Sequence, residues 1–404
     1  MLSQLISGRQ HFDGADPIFS LNAAAQKRAA TGEHVINATI GALLDDDGKL
    51  VILKTVMEQY AALTPPEIAP YAPIAGDPAY LLALTQRHWP EVTTYGAGVA
   101  APGGTGGLAV SIRNFLQPGD ALLTAAPFWG PYSTIAAENQ AKLVTAPFPP
   151  TGEPLDRAAW REKLDSIAAA QGRVLVWLND PCHNPTGRSL SAENRKALLA
   201  LLRETSSRAP VTLLLDLAYL DYTREPAELR AALDDYRAFG EEGKVLVAAC
   251  LSLSKAYTIY GARAGALVFP WNSDAALQAA LATSCRGTFS NCARAPMSVL
   301  LRISRSVEAQ QRLAAEHAHW NQVLLERTEA LDAALKAEGL AGAPWQGGFF
   351  VTLEVANPAE VCDKLQAEGV FVVPIPEGLR VGVCALKAND APRFAAAVRR
   401  CTAK

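Results

Sequence analysis

Short, nearly unbroken apolar runs punctuate this chain at 121–125, 174–178, 211–215, 245–250 and 264–269. A run that is apolar at every position, rather than at alternate ones, predicts a strand covered on both faces. Between and before the runs, apolar residues recur at helical spacing over 79–88, 108–116, 154–170, 190–205 and 273–283. Strands alternating with helices predict a buried, mainly parallel sheet within an α/β fold. A long helical period from about 294 to 340, bent on the way, then leads to a second group of strands at 348–355 and 370–373. Upstream, 20–30 reads as an Ala-rich helix in an otherwise irregular stretch that ends near 45.

With 404 residues the chain can fill two domains. Its 37 Lys and Arg against 40 Asp and Glu leave no basic surplus, and no Lys/Arg block occurs, so no nucleic-acid partner is expected. An anionic substrate would have to be met by arginines placed locally. Seven cysteines lack metal-type spacing, and Cys182, Cys250, Cys285 and Cys292 lie in or beside apolar stretches, which predicts reduced, buried thiols. Six histidines show no paired ligand spacing, so no metal is expected. No apolar run reaches membrane-spanning length, and residues 1–16 carry no leader-type signal, so a cytoplasmic protein with no membrane partner is expected.

Chemistry collects where the strands end, as it does in parallel sheets. The run 245–250 leads into Leu251-Ser252-Leu253-Ser254-Lys255, with Arg263 and Gly265 beyond. An amine there can form a Schiff base with an aldehyde, while serine hydroxyls and a guanidinium suit a phosphate. Pyridoxal phosphate carries both groups, so Lys255 reads as its anchor, with Ser252, Ser254 and Arg263 around the phosphate. Ser-x-Ser-Lys alone would equally describe a solvated strand end.

Asp216 closes the run 211–215, and a carboxylate at a buried strand end needs a partner. A protonated pyridine nitrogen would serve, because the opposite charge holds its proton and makes the ring an electron sink. In Asn179-Asp180-Pro181-Cys182-His183-Asn184-Pro185-Thr186-Gly187, prolines fix Asn184 as a hydrogen-bond donor, while His183 reads as structural. Gly103-Gly104-Thr105-Gly106-Gly107 opens a helix, where glycine lets a phosphate approach free N–H groups.

Taken together and in order, from about 35 to 385, these strings resemble the fold-type I, class I aminotransferases, the branch of aspartate and aromatic amino acid aminotransferases. The resemblance implies roles residue by residue. Gly104 and Thr105 would cradle the phosphate, and Trp129, after Pro127-Phe128, would stack on the pyridine ring. Asn184 and Tyr219, the latter in Asp216-Leu217-Ala218-Tyr219, would contact its 3-oxygen. Tyr71, ahead of Gly76-Asp77-Pro78, would reach the neighbouring subunit's phosphate. Arg286, in Arg286-Gly287-Thr288-Phe289-Ser290-Asn291, would enter the partner's substrate pocket. Arg380, in Gly378-Leu379-Arg380, would fork the substrate α-carboxylate, and the segment around Gly41 would pass over the substrate.

The implied fold is a large domain, 46–305, with a mostly parallel sheet, and a smaller α+β domain from both chain ends, 1–45 and 306–404. The implied assembly is a homodimer with shared active sites. The implied activity moves an amino group between an amino acid and a 2-oxo acid, through an aldimine at Lys255 and with ping-pong kinetics. Arg286 favours aspartate or glutamate, with aromatic side chains also admitted. Leu43, where dicarboxylate members often carry tyrosine, and Gly261-Ala262, in place of their Asn-Glu, depart from the pattern. Because the motifs serve the cofactor, two alternatives stay open: another pyridoxal phosphate enzyme such as a C–S lyase, and a non-catalytic cofactor-binding sensor. The second would want a basic DNA-binding extension, which the sequence lacks.

Overall fold

The computed structural model describes residues 17–403. The expectation about a leader concerns 1–16 and lies outside them. The chain forms two compact units. The larger comprises Ala42–Glu326 and Pro344–Val351; the smaller comprises Arg327–Ala343, Thr352–Lys404 and the segment up to Gly41. The expected boundary at 305/306 therefore shifts: 42–45, 306–326 and 344–351 lie with the larger unit.

In the larger unit a seven-stranded sheet runs in the order Ala97–Ala101, Gly265–Phe269, Leu246–Ser252, Val211–Asp216, Val174–Leu178, Ala121–Ala126, Lys142–Pro147. All pairings are parallel except those of Gly265–Phe269, which runs against both its neighbours. The strands Val174–Leu178 and Val211–Asp216 are buried at every position, as a sheet covered on both faces requires.

Two strands were not visible in the apolar pattern. Ala97–Ala101 holds a single Val among Ala and Gly, which have little strand preference of their own, yet it is completely buried. Lys142–Pro147 is the sheet edge, and its mixed exposure breaks the apolar run. The helix expected from 108 begins at Gly103, because the glycines form its first turns. Glycine is required at Gly265: a Cβ there would stand 2.4 Å from the Leu251 carbonyl oxygen and 3.0 Å from Gly103. The lysine-bearing strand and the glycine-rich helix start are thereby held together. The long helical stretch breaks after Arg294–Ser304 and resumes as Val307–Ala337, which is the expected bend. The helix Pro226–Glu241 is an addition to the expected set.

In the smaller unit, Ile36–Asn37 pairs in parallel with Val370–Phe371, and Val373–Ile375 pairs antiparallel with Gly378–Gly382. The helices Pro17–Ala29, Pro358–Ala367 and Ala391–Thr402 belong to it. Arg380 is buried there, and its Nη2 donates to the Thr39 carbonyl at 2.7 Å.

A buried polar pair ties the loop after Val174–Leu178 to the helix Pro226–Glu241. Tyr236 Oη donates to Asp180 Oδ2 at 2.5 Å, and the Leu190 N–H donates to Oδ1 at 2.6 Å. Burial pushes the Asp180 carboxyl up, and these two donors oppose it. Tyr236→Phe removes one donor and strands a buried oxygen, so it should lower unfolding stability by about 1–3 kcal/mol. A urea titration checks this: the midpoint falls while the slope is unchanged. An unmoved midpoint would show that water replaces the phenol.

Candidate active site

The parallel strands deliver their C-terminal ends to one side of the sheet, in register. Leu178 stands opposite Leu215, Asp216 opposite Cys250, and Ser252 opposite Gly265. The strand Leu246–Ser252 runs two residues beyond the apolar run, and Ser252 caps the one-turn helix Leu253–Ala256, its Oγ accepting from the Ser254 N–H at 3.2 Å. This turn carries Lys255. The lysine is half-buried, with Nζ 5.4 Å from the centroid of the Tyr219 ring. The turn itself is held from behind: Tyr222 Oη donates to the Lys255 carbonyl at 3.1 Å, and His317 Nε2 lies 2.7 Å from the Ala256 carbonyl.

On one side of the lysine, three features converge. Arg263 adopts a left-handed backbone with φ 49°, and its Nη1 donates to Ser254 Oγ at 3.2 Å and to the Tyr260 carbonyl at 2.9 Å. Its Nη2 lies 3.5 Å from the Pro102 carbonyl, beside the start of the helix Gly103–Phe115. A Cβ on Gly103 would sit 2.6 Å from that same Nη2. A guanidinium, a hydroxyl and the N-terminus of a thirteen-residue helix make a cradle for an anion. Gly104 and Thr105 lie in the first turn of this helix, and Thr105 is exposed.

On the other side stands Asp216, almost fully buried. Tyr132 Oη donates to its Oδ2 at 2.7 Å, and Asn179 Nδ2 donates to its carbonyl at 2.7 Å. Burial pushes the carboxyl up; the Tyr132 hydrogen bond and the Lys255 charge pull it back down. Asn179 also accepts from the Asn184 N–H at 2.6 Å, so one amide clamps two strand ends. The Asn184 side chain meets Tyr219 Oη at 3.1 Å through Nδ2, and its buried Oδ1 has no hydrogen-bond partner among the described residues. Turning this amide over would present an unused donor in place of an unused acceptor.

The structure thus brings together Lys255, Asp216, Asn184, Tyr219, Ser252, Ser254, Arg263 and the Gly104–Thr105 turn. Trp129 is half-buried, edge-on to Tyr132 at 5.7 Å. Tyr71 is 89% exposed. Arg286 is also exposed, with Nη1 donating to Ser290 Oγ at 2.7 Å, and it stands in the last turn of the helix Ala275–Thr288 rather than in the loop beyond it. Gly41 and Arg380 belong to the smaller unit. Leu43 is completely buried and its N–H donates to Tyr260 Oη at 3.1 Å, so this departure from the family pattern is a core residue.

Sequence reasoning missed Tyr132 and left Asn179 without a role. Asn179 opens the loop 179–187 that carries Asn184. Tyr132 carried no signal, because only the fold places its helix, Pro131–Glu138, over Asp216. Among the described residues no helix is long and apolar enough to cross a membrane, and no cluster of metal-ligating side chains occurs.

A mostly parallel sheet carrying a lysine turn, a strand-end aspartate and a glycine-rich helix start is the fold-type I transferase architecture. The family model for aminotransferase class I and II matches residues 33–398, and the chain belongs to that family. It is 29% identical over 269 residues to the aspartate aminotransferase of Pseudomonas aeruginosa, a match spanning 62% of each protein. An aminotransferase structure from Anaerococcus prevotii superposes with a TM-score of 0.91 at 27% identity over the full length of both chains. An aromatic-amino-acid aminotransferase from Burkholderia pseudomallei, covalently bound to pyridoxal phosphate, shares the fold with a TM-score of 0.82 at 23% identity, again over both full lengths.

His183 gives this site a pH signature. Its ring stacks on Phe148 at 4.2 Å, and Nδ1 lies 2.8 Å from Thr186 Oγ1. Burial lowers its pKa to about 3, so the folded protein holds it neutral. The unfolded chain binds a proton there near pH 6.5. Unfolding therefore takes up protons, and this contribution to stability is present above about pH 6.5 and is lost as pH falls toward 3. His183→Gln should flatten that part of the stability curve. NMR of the parent should show a His183 ring signal that does not move between pH 8 and 5; a signal titrating near 6.5 would refute the assignment.

Proposed function

We propose that this protein is a pyridoxal phosphate-dependent aminotransferase that moves an amino group between an amino acid and a 2-oxo acid. One observation carries the reading: an amine, a buried carboxylate and an anion cradle sit together at the ends of neighbouring strands. They match the aldehyde, ring nitrogen and phosphate of a single cofactor. With the Asn184 amide turned over, so that Oδ1 accepts from Tyr219 Oη and Nδ2 becomes the unused end, that N–H donor fits the ring's 3-oxygen. The residues present therefore fit the group.

When bound, pyridoxal phosphate supplies an electrophilic aldehyde carbon and a ring that draws the electron pair released at the substrate α-carbon. The protein's own groups do the rest. Arg263, Ser252, Ser254 and the N–H groups at Gly104 and Thr105 hold the phosphate. Asp216 would hold a proton at the ring nitrogen, Asn184 and Tyr219 would hold the 3-oxygen, and Trp129 would pack against the ring. Lys255 would hold the aldehyde group, and its Nζ, when free, would be the base that takes the substrate's α-proton. Tyr222 and His317 keep the lysine turn in place, so Nζ swings from a fixed backbone.

Arg380 is assigned to the substrate α-carboxylate and the Gly41 segment to the substrate's cover. Tyr71 and Arg286 are assigned to the other protomer's site in a homodimer, a role that their exposure supports. The substrate reading is a dicarboxylate, aspartate or glutamate with 2-oxoglutarate as acceptor, with aromatic side chains also taken. The aspartate and aromatic aminotransferases among its relatives and structural neighbours support this range. A cytoplasmic location is part of the same reading.

The test is a half-reaction screen. The cofactor-loaded protein is mixed with single amino acids while the cofactor's absorbance is followed and the 2-oxo acid is assayed. Stoichiometric conversion with an amino acid supports the reading; release of a thiol or ammonia without conversion overturns it. Lys255→Ala should abolish turnover and the borohydride-trapped label, and a label found on another lysine would sink the anchor assignment.

Arg286→Ala tests the substrate. It should reduce kcat/KM for aspartate or glutamate by at least ~10²-fold, the order of one charge-assisted contact, and leave phenylalanine nearly unchanged. Equal losses for both, or no dicarboxylate activity in the parent, would refute the dicarboxylate assignment.

A further inference from the structure

We propose that Tyr132 is a positioning residue whose hydroxyl keeps the Asp216 carboxylate charged, and so keeps the proton of the bound ring on the nitrogen. The inference rests on the functional reading above for its consequence, although the Tyr132–Asp216 contact stands without it. Asp216 lies at the end of a fully buried strand. A lone carboxylate there would take up a proton rather than stay ionised. The donors that reach it are neutral: Tyr132 Oη at 2.7 Å on Oδ2, and the backbone N–H of Ala218.

The titratable and charged groups facing this carboxylate are few. Lys255 faces it from the lysine turn, Cys250 from the neighbouring strand, and Tyr132 from the helix Pro131–Glu138; Tyr219 stands near the Tyr132 phenol. Burial pushes both the Cys250 thiol and the Tyr132 phenol well above their ordinary values, so neither changes charge near neutrality. Lys255 is the group assigned to the aldehyde, so its own charge changes during turnover. Tyr132 is then the constant donor. Its ring is fixed by Trp177, edge-on at 5.0 Å, by Trp129, edge-on at 5.7 Å, and by Phe128, stacked at 6.4 Å. The hydroxyl has little freedom to point elsewhere.

The consequence is a balance within one proton-sharing pair. A donor on Oδ2 makes the carboxylate a weaker base, which leaves the shared proton on the ring nitrogen. Without the donor, the carboxylate competes for that proton and the ring draws electrons less well.

The experiment has a cofactor-free arm. In protein stripped of cofactor and labelled with 13C at the aspartate carboxyls, the Asp216 signal is identified by its loss in Asp216→Asn. In Tyr132→Phe, which keeps the packed ring, that carboxyl should titrate about one to two pH units higher than in the parent. Fluorotyrosine at position 132, a stronger donor of nearly the same size, should move the titration lower. Asn179→Ala, which loosens the same strand end without touching the carboxylate, should leave the titration in place. In a second arm the protein is loaded with 15N-labelled pyridoxal phosphate. The ring nitrogen in Tyr132→Phe should shift toward its unprotonated position, and kcat should fall about tenfold with KM nearly constant.

An Asp216 titration that is the same in the parent, the Phe variant and the fluorotyrosine protein overturns the inference, whatever the cofactor does. A ring nitrogen that stays fully protonated in Tyr132→Phe also overturns it. Failure of the parent to take up pyridoxal phosphate at all overturns the functional reading instead, and the first arm is read independently of it.

Discussion

A carboxylate at the buried end of a strand is the demanding element of this structure. Leaving such a charge without partners costs about 3–5 kcal/mol. Asp216 is met by a phenol aimed at one carboxylate oxygen and by a lysine close enough for its charge to be felt, while an amide on its backbone carbonyl holds the strand end. None of these neutralises it fully, since burial still raises its pKa. In the proposed function that cost would be offset by a cationic ring bound beside the carboxylate.

The sheet makes that arrangement possible by registering strand ends. Parallel pairing from Ala121–Ala126 through Leu246–Ser252 points each C-terminus the same way, and Asp216 and Cys250 come level. The reversed strand Gly265–Phe269 then brings Gly265 beside Ser252 and against Gly103. Arg263, two residues ahead of Gly265, is thus delivered to the start of the glycine-rich helix. The anion cradle is a product of strand order, with a glycine at the one place where two backbones come too close for a side chain.

Much of this was legible in the sequence because the chemistry sits at the ends of apolar runs. Asp216, Asn184 and Lys255 each follow a run whose length and composition mark a buried strand, so type and position could be read together. The glycine-rich stretch was legible as a helix start, although its helix begins five residues earlier than the apolar period. Ala97–Ala101 was not legible, since small residues carry no strand pattern until neighbours bury them. Tyr132 was hidden for a different reason: it lies on a helix face, and nothing local says that this helix crosses the end of Val211–Asp216. Partners of a strand-end group that come from another element are set by topology, which periodicity does not encode.

The arginines show how structure sorts residues that composition counts alike. Arg87 pairs with Asp221, Arg195 with Asp235, Arg203 with Glu242 and Arg302 with Glu67. In these the positive charge is already met, and the side chain ties elements together. Arg263 differs: its acceptors are a hydroxyl and two backbone carbonyls, with no ion pair among the described residues. Arg286 likewise donates to a hydroxyl, Ser290 Oγ. Neutral acceptors fix the direction of a guanidinium without cancelling its charge, so it keeps its full attraction for an anion. In a chain whose formal net charge is -3, that distinction marks which arginines are free to attract an anion in the proposed reading. In the proposed site the attraction would come from individual guanidinium groups such as these, held in place by partners that do not discharge them, and not from any overall surplus of positive charge.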